Sequence, residues 1–274
     1  MAVITLTTDF GLKDHHLAMV KGAIINMAPH ATIIDISHQI EAHDTQSASF
    51  ILKNAFHAFP KGSIHIIGIN TEPSDENLFT CVKYQGHYFI STDNGIFSLI
   101  MDENQPEVIV EIIPENIHQL SFICKDVFVP AAIKLLNGKG IESLGPKRNQ
   151  VQKLINMKAY ADQIGIRGNI IYIDNYENAI SNISKELFEQ HFSNTHFEIQ
   201  LKPSKRFSEL YKDSEYTLNK ISFFYNEVDK GEILARFNSS GLLEIAINKG
   251  NASSLLNLKT GDVIRILKYD NQNS

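Results

Sequence analysis

Tryptophan is absent from this chain of 274 residues, and cysteine occurs only twice, at Cys81 and Cys124. Two distant cysteines exclude a disulfide framework. With no signal-peptide pattern ahead of the first strand, they imply a reducing cytoplasm. No apolar run approaches the ~20 residues a membrane-spanning helix needs. No long basic run occurs and the formal net charge is -6, which argues against nucleic acid and anionic membrane surfaces as partners. Phosphate-cradling motifs are missing too. Neither G-x-G-x-x-G nor G-x-x-x-x-G-K-[ST] occurs, and Gly11 is the only glycine of the first loop, so a ligand with a pyrophosphate is disfavoured. A nucleoside-like ligand without phosphates is compatible. Nine of the eleven histidines lie in the first 118 residues, but their spacings match no familiar ligand pattern and no metal is expected.

What is present is ordinary for a globular chain: 43% hydrophobic and 20% charged residues, with length enough for two domains. The first half alternates. Strand patterns at 3–7, 32–36 and 63–69 are separated by helical patterns at 14–27 and 44–59. Paired strands at 79–84 and 87–91 flank Gln85-Gly86, and a strand at 108–112 precedes a helix at 125–137. Strands alternating with helices imply βαβ units and a mostly parallel, Rossmann-like sheet. Residues 138–157 read as a turn-rich linker around Gly145-Pro146. Beyond it, short strand patterns at 164–173, 196–201, 221–224, 233–237, 243–247 and 263–267 predict a small all-β, barrel-like domain. The expected division is an α/β nucleoside-binding domain over 1–155 and a β domain over 160–274. The polar tail at 270–274 is expected to fray.

Residues with chemical potential cluster at strand ends. Asp9 follows the first strand, where open α/β sheets bind ligands. Its carboxylate suits a vicinal diol such as a ribose, or equally the cap of the next helix. Asp35-Ile36-Ser37-His38 ends the second strand. Asp93-Asn94-Gly95 follows a strand and reads more readily as an ordinary Asn-Gly turn. Asp126, after Phe122-Ile123-Cys124-Lys125, reads as a helix cap or as part of the same crevice. In the β domain, Asp174-Asn175-Tyr176-Glu177-Asn178 combines a carboxylate, an aromatic ring and an amide. Those groups would hold an amine, stack on a base and read its edge, and a polar hairpin turn explains them about as well.

These stretches carry a resemblance. Thr8-Asp9-Phe10-Gly11, Asp14, Lys21-Gly22, Asp35-Ile36-Ser37-His38, Phe59-Pro60-Lys61-Gly62, Asp93-Asn94-Gly95, Phe128-Val129-Pro130-Ala131-Ala132, Asp174 with Asn178, and Asn238-Ser239-Ser240-Gly241 run in a characteristic order. In that order the chain resembles the S-adenosylmethionine hydroxide adenosyltransferases, a family that includes the fluorinase and chlorinase. The resemblance implies an α/β domain followed by a β-barrel-like domain. It also implies a homotrimer that binds S-adenosylmethionine between subunits, without metal or other cofactor. It implies displacement of methionine from the ribose C5′ carbon by water, hydroxide or halide. By the same resemblance Asp9 would hold the ribose, and Asp14 with His16 the methionine end. Asp174 would pair with the ammonium, Tyr176 and Phe224 would pack on adenine, Asn178 would bond its edge, and Ser239 and Ser240 would meet the carboxylate.

The activating groups depart from the pattern. Hydroxide-using relatives carry an Asp, an Arg and a His where this chain has Asn70, Asn77 and Ile123. Halide-using relatives place a Tyr and a Thr at Asn70 and Pro73, and the fluorinase has a Ser at Cys124. Asn70, Glu72 and Cys124 are therefore the candidates for the activating role. The expectation is an S-adenosylmethionine hydrolase-like enzyme. Its alternatives are a degenerate binding protein for S-adenosylmethionine or adenosine, and an enzyme that uses another nucleophile.

Overall fold

Valine, isoleucine and threonine dominate the segment that opens the fold, and such β-branched residues pack well in a pleated, buried sheet. In the computed structural model, which describes residues 3–115, 120–155, 157–192, 195–201 and 216–268, it forms β1 (Val3–Thr8), buried along nearly its whole length. The chain divides into two compact units, Met1–Ile155 and Asn156–Ser274.

In the first unit β1 is followed by α1 (His16–Met27), β2 (Thr32–Ser37), α2 (Thr45–Ala55), β3 (Ile64–Gly68), β4 (Phe79–Tyr84) and β5 (His87–Thr92). Then come α3 (Ile96–Met101), β6 (Val108–Glu111) and α4 (Val129–Leu136), the last continuing a π-helical turn at Cys124–Phe128. The sheet order is β2-β1-β3-β5-β4-β6. Strands β2, β1, β3 and β5 pair in parallel, and β4 runs antiparallel to both β5 and β6. The sheet is thus mixed, and its order is not that of the dinucleotide-binding fold. One core packs α1 and α4 on Ile4, Leu6, Ile64 and Ile66; the opposite face packs α2 and α3 on Ile67, Ile69 and Phe89. The chain leaves β1 toward β2 and leaves β3 toward β4 and β5, on opposite sides, so the switch point lies at the C-terminal ends of β1 and β3, where open α/β sheets bind ligands.

The second unit contains β7 (Tyr160–Ala161), β8 (Gly165–Ile173), β9 (Ala179–Ser184), α5 (Lys185–Phe192), β10 (Phe197–Leu201) and β11 (Tyr216–Leu218). It continues with β12 (Ile233–Phe237), β13 (Leu242–Ile247), α6 (Ala252–Leu256) and β14 (Val263–Lys268). The order β11-β10-β14-β8-β9-β13-β12, with β7 added to β8, makes a nearly closed antiparallel, barrel-like sheet. The long strand β8 joins its halves, pairing with β14 up to Asn169 and with β9 from Ile170. The core is largely aliphatic, with Phe188 and Phe192 of α5 stacked at 5.3 Å against it.

Several expectations shift. Helix α1 starts at His16, two residues late, with His15 at the N-cap position making no side-chain cap. Helix α2 gives way to a tighter turn at Phe56–Ala58. The strand expected over 221–224 is only a bridge from Ile221 to Ala235, after which Phe224 opens a short helical turn. The second unit is not all-β, since α5 and α6 belong to it. The supposed linker is not free chain: Arg148 and Gln152 bond to Asp93, and Leu154 N donates to Ser98 Oγ at 3.0 Å. The hairpin at Gln85-Gly86 is as expected. Both residues have positive φ, 50° and 81°, the requirement of the two-residue turn that matches strand twist. The tail at 270–274 lies outside the described residues. No helix of the described residues is long and apolar enough to cross a membrane.

Candidate functional site

Asp9 leaves β1 at the crevice, half-buried. Its carboxylate does not cap α1. Oδ2 accepts the backbone N–H of His43 at 2.9 Å, and no other described residue bonds to that carboxylate. The neighbouring loop is held from the same side: Gly11 N donates to His38 O at 2.8 Å, and Thr8 Oγ1 meets His38 Nδ1 at 2.8 Å. Behind His38, Nε2 stands 3.0 Å from Asp35 Oδ1, while Asp35 Oδ2 accepts from Lys21 Nζ at 2.6 Å. Burial pulls the Asp35 carboxyl upward, but Lys21 and His38 beside it outweigh that and hold it below the usual value.

Aromatic rings surround the loop. Phe10 lies 5.3 Å from Phe122, and the edge of His16 meets Phe122 at 5.3 Å. His15 stacks on His16 at 4.5 Å. His16 and Asp14 are both exposed. The floor is close-packed. A Cβ on Gly68 would come within 2.7 Å of Cys124 Sγ, 2.9 Å of Phe10 and 3.1 Å of Thr8. Cys124 is fully buried. Burial first, and the nearby Asp9 charge second, push its thiol far above the ordinary range. A buried, protonated thiol is a packing group rather than a nucleophile or base, which corrects the expectation for Cys124.

Asn70 follows β3 in the left-handed region, at φ 45°, with its side chain exposed. Its carbonyl and that of Ile69 both accept from Asn94 Nδ2, at 3.1 and 2.9 Å. Asn94-Gly95 is therefore not a hairpin turn. Asn94 ties down the loop after β3, and Gly95, at φ 92°, leads into α3. Glu72, two residues beyond Asn70, is exposed. Ile123 is buried, so no ionisable side chain stands at that position. Asp126 is not the N-cap: it lies inside the π-helical turn, where Ile123 holds the N-cap position without a side-chain cap, and its Oδ2 reaches back to accept from Ser121 N and Phe122 N, both at 2.8 Å. Burial opposes, but these bonds hold its carboxyl at about 2.

In the second unit, Asp174 closes the β8–β9 hairpin. Oδ1 accepts from Tyr176 N at 2.9 Å and Asn178 N at 2.8 Å, and Oδ2 from Asn178 Nδ2 at 3.0 Å. The turn reading of this stretch thus holds, and Oδ2, with a single donor, keeps room for one more. Tyr176 is 75% exposed and Phe224 69%, so both rings are open to solvent. Tyr225 Oη donates to buried Glu244 at 2.7 Å, and Arg236 lies 4.4 Å over the Tyr225 ring. Burial and that bond push the Tyr225 phenol up to about 12. Ser239 and Ser240 sit in the β12–β13 turn, shaped by Asn238 Oδ1, which accepts from Ser240 N at 2.9 Å. Each unit thus gathers its own candidates: Asp9, Asp14, His16 and Asn70 in one, Asp174, Tyr176, Asn178 and Phe224 in the other.

Sequence reasoning overlooked His43, Arg236 and Glu244, and left Asp35 and His38 without a role. His38 ends a strand with a polar motif, a visible signal; His43 contributes only its backbone, and no side-chain pattern reveals that. Among the described residues, no group of three or more His, Cys, Asp or Glu is gathered to hold a metal.

Comparison with known proteins places both units in one context. Residues 4–145 match the model of the SAM hydroxide adenosyltransferase N-terminal domain, and residues 168–265 that of its C-terminal domain. The chain is 28% identical to an (R)-S-adenosyl-L-methionine hydrolase of Methanocaldococcus jannaschii, covering 97% of this chain and 95% of that protein. It is 26% identical to the enzyme of the same name from Thermus thermophilus, covering 97% and 100%. A crystal structure of an uncharacterised conserved protein from Thermotoga maritima superposes with a TM-score of 0.86 at 27% identity, over 97% of this chain and 100% of that one.

Proposed function

This chain belongs to the SAM hydroxide adenosyltransferase family, and from that premise we propose that it is an S-adenosylmethionine hydrolase-like enzyme. It takes S-adenosylmethionine to adenosine and L-methionine. The observation that carries this reading is similarity over almost the full chain to proteins named as S-adenosyl-L-methionine hydrolases.

The chemistry asks little acid–base work of the protein. Methionine leaves the C5′ carbon as a neutral thioether, so the leaving group needs no proton. The site must align the attacking water, carbon and sulfur, and let that water shed a proton as the C5′–O bond forms. In this reading Asp9 holds the ribose, with one oxygen already oriented by His43. Asp14 and His16 face the methionine end. Asp174 serves the ammonium, Tyr176 and Phe224 the adenine face, Asn178 its edge, and Ser239 and Ser240 the carboxylate. Asn70 and Glu72 flank the entry of the nucleophile. The reaction requires no cofactor or metal. Incubation with S-adenosylmethionine, with adenosine followed by chromatography, tests the reading. No product above the uncatalysed rate, in water or with added halide, sinks it.

A second reading, ligand binding without turnover, draws on one observation. Asn70, Asn77 and Ile123 stand where the hydroxide-using relatives carry Asp, Arg and His, and buried Ile123 offers no proton acceptor. Tight calorimetric binding of S-adenosylmethionine or adenosine without product favours it. A homotrimer in the cytoplasm completes the proposal. Contact with another copy of the chain is supported by α1, which leaves Met19, Ile25 and Met27 exposed while Leu17, Val20 and Ile24 are buried. Light scattering after gel filtration reads the mass directly.

A further inference from the structure

The segment after β2 grips the loop after β1 at three points. His38 Nδ1 meets Thr8 Oγ1 at 2.8 Å, His38 O accepts from Gly11 N at 2.8 Å, and His43 N donates to Asp9 Oδ2 at 2.9 Å. All three fall on the four residues that turn the chain out of β1. His38 is 5% exposed and Thr8 1%, so water does not compete for their bond.

The direction of that bond follows from its surroundings. His38 Nε2 stands 3.0 Å from Asp35 Oδ1 without the alignment of a hydrogen bond. A carboxylate that close repels a bare nitrogen lone pair and favours an N–H, so in the neutral ring Nε2 carries the proton and Nδ1 is left as the acceptor. Thr8 therefore donates its hydroxyl proton to His38, which leaves the Thr8 oxygen free to accept from Phe10 N at 3.4 Å. Asp35 is held in turn by Lys21 of α1 at 2.6 Å. The chain Lys21–Asp35–His38–Thr8 thus runs from the surface to the residue beside Asp9.

We propose that His38 is a positioning residue: through Thr8 and Gly11 it locks the β1–α1 loop in the shape that presents the Asp9 carboxylate to the ligand. The ligand in question rests on the function proposed above; the lock itself does not. A preorganised carboxylate costs the ligand less ordering on binding.

The test uses the full chain and four single variants: His38→Ala, His38→Asn, His38→Gln and Thr8→Val. Asn places an acceptor oxygen near the position of Nδ1 and keeps the Thr8 bond; Gln reaches toward Asp35 and does not. His38→Ala and Thr8→Val should each weaken adenosine binding about tenfold by calorimetry, as expected for one lost buried hydrogen bond. The double variant should lose little more than either alone, since both remove the same bond. His38→Asn should restore most of the affinity and His38→Gln should not. Wild-type affinity in folded His38→Ala and Thr8→Val, or equal rescue by Gln and Asn, overturns the proposal. Should His38→Ala fail to fold, Thr8→Val against His38→Asn decides. Should the wild type bind neither adenosine nor S-adenosylmethionine, the functional reading fails and amide exchange in the free protein decides this one. Phe10 and Gly11 should exchange at least about tenfold faster in Thr8→Val than in wild type or His38→Asn; equal rates overturn it.

Discussion

Arg148 Nη1 donates to Asp93 Oδ2 at 2.9 Å, and the carboxylate it meets is fully buried. The same Arg148 nitrogen bonds Thr80 Oγ1 at 2.8 Å, and Gln152 N donates to both Asp93 oxygens at 3.1 Å. Burial pushes the Asp93 carboxyl up in spite of these partners. Removing one partner of such a pair strands a charge in the interior at a cost of roughly 3–5 kcal/mol. Arg148→Ala should therefore lower stability by about that amount in urea unfolding, and Asp93→Asn with Arg148→Met should lose less than Arg148→Ala alone.

Gly68 is required for space. Its missing Cβ would press on Cys124, Phe10 and Thr8 at 2.7–3.1 Å, and none of the three is a flexible chain end. Gly68→Ala should destabilise the chain by about 1–3 kcal/mol through overpacking. It should also weaken nucleoside binding, because Phe10 must shift the loop that carries Asp9. Calorimetry and thermal melting on one variant separate the two effects.

His65 and His87 form a buried pair on adjacent strands, Nε2 to Nδ1 at 3.2 Å, with Thr5 Oγ1 at 2.7 Å on the far side of His65. Burial, then the neighbouring His87, pushes His65 down to about 3, and burial first also lowers His87. Both rings are neutral in the folded chain and take up protons on unfolding once pH drops below about 6.5. For His65 the stabilising effect of the neutral ring is complete above pH about 6.5 and fades toward pH about 3, at up to ~1.4 kcal/mol per pH unit, and His87 acts in the same direction. The melting temperature should fall between pH 7 and pH 5. His65→Phe, which retains a ring against Phe89, should fall less over that interval.

Asp9 offers an unengaged oxygen at the crevice, oriented by the His43 amide. Asp9→Asn retains shape and loses the charge-assisted bonds to hydroxyls, which are worth about 1.5–3 kcal/mol. Adenosine affinity should drop at least about tenfold by titration, while 2′,3′-dideoxyadenosine, lacking both hydroxyls, should bind the variant and the wild type alike.

Cys81 and Cys124 are both fully buried free thiols, and burial pushes both far above their ordinary range. Neither should react with iodoacetamide at pH 8 in the native state, and both should react after denaturation. Mass spectrometry counts the added groups. Rapid labelling of native Cys124 would contradict its place beneath Gly68.

Much of the architecture is written in local pattern. The β1-to-β3 alternation, the positive-φ turn at Gln85-Gly86 and the strand-end position of Asp9 follow from periodicity and backbone chemistry that act over a few residues. The ordered set of motifs reveals the family only through its resemblance to known members. The helix boundaries around α1 were less legible, because capping depends on where the Asp14 and His15 side chains point. The turn at Asp174 was legible only as two alternatives: the same carboxylate–amide pair serves a hairpin and a ligand.

Contacts between distant residues settled the rest. Only the folded chain shows that Cys124 is sealed under Gly68, that Asn94 ties the loop after β3, and that His38 reaches Thr8 thirty positions away. It also shows that Arg148 of the apparent linker neutralises Asp93. A sequence specifies which groups are present and the local conformations they favour. Whether a carboxylate, thiol or imidazole is exposed, paired or buried depends on which strands become neighbours, and in this chain that was decided by sheet order and by the packing of helices on both faces.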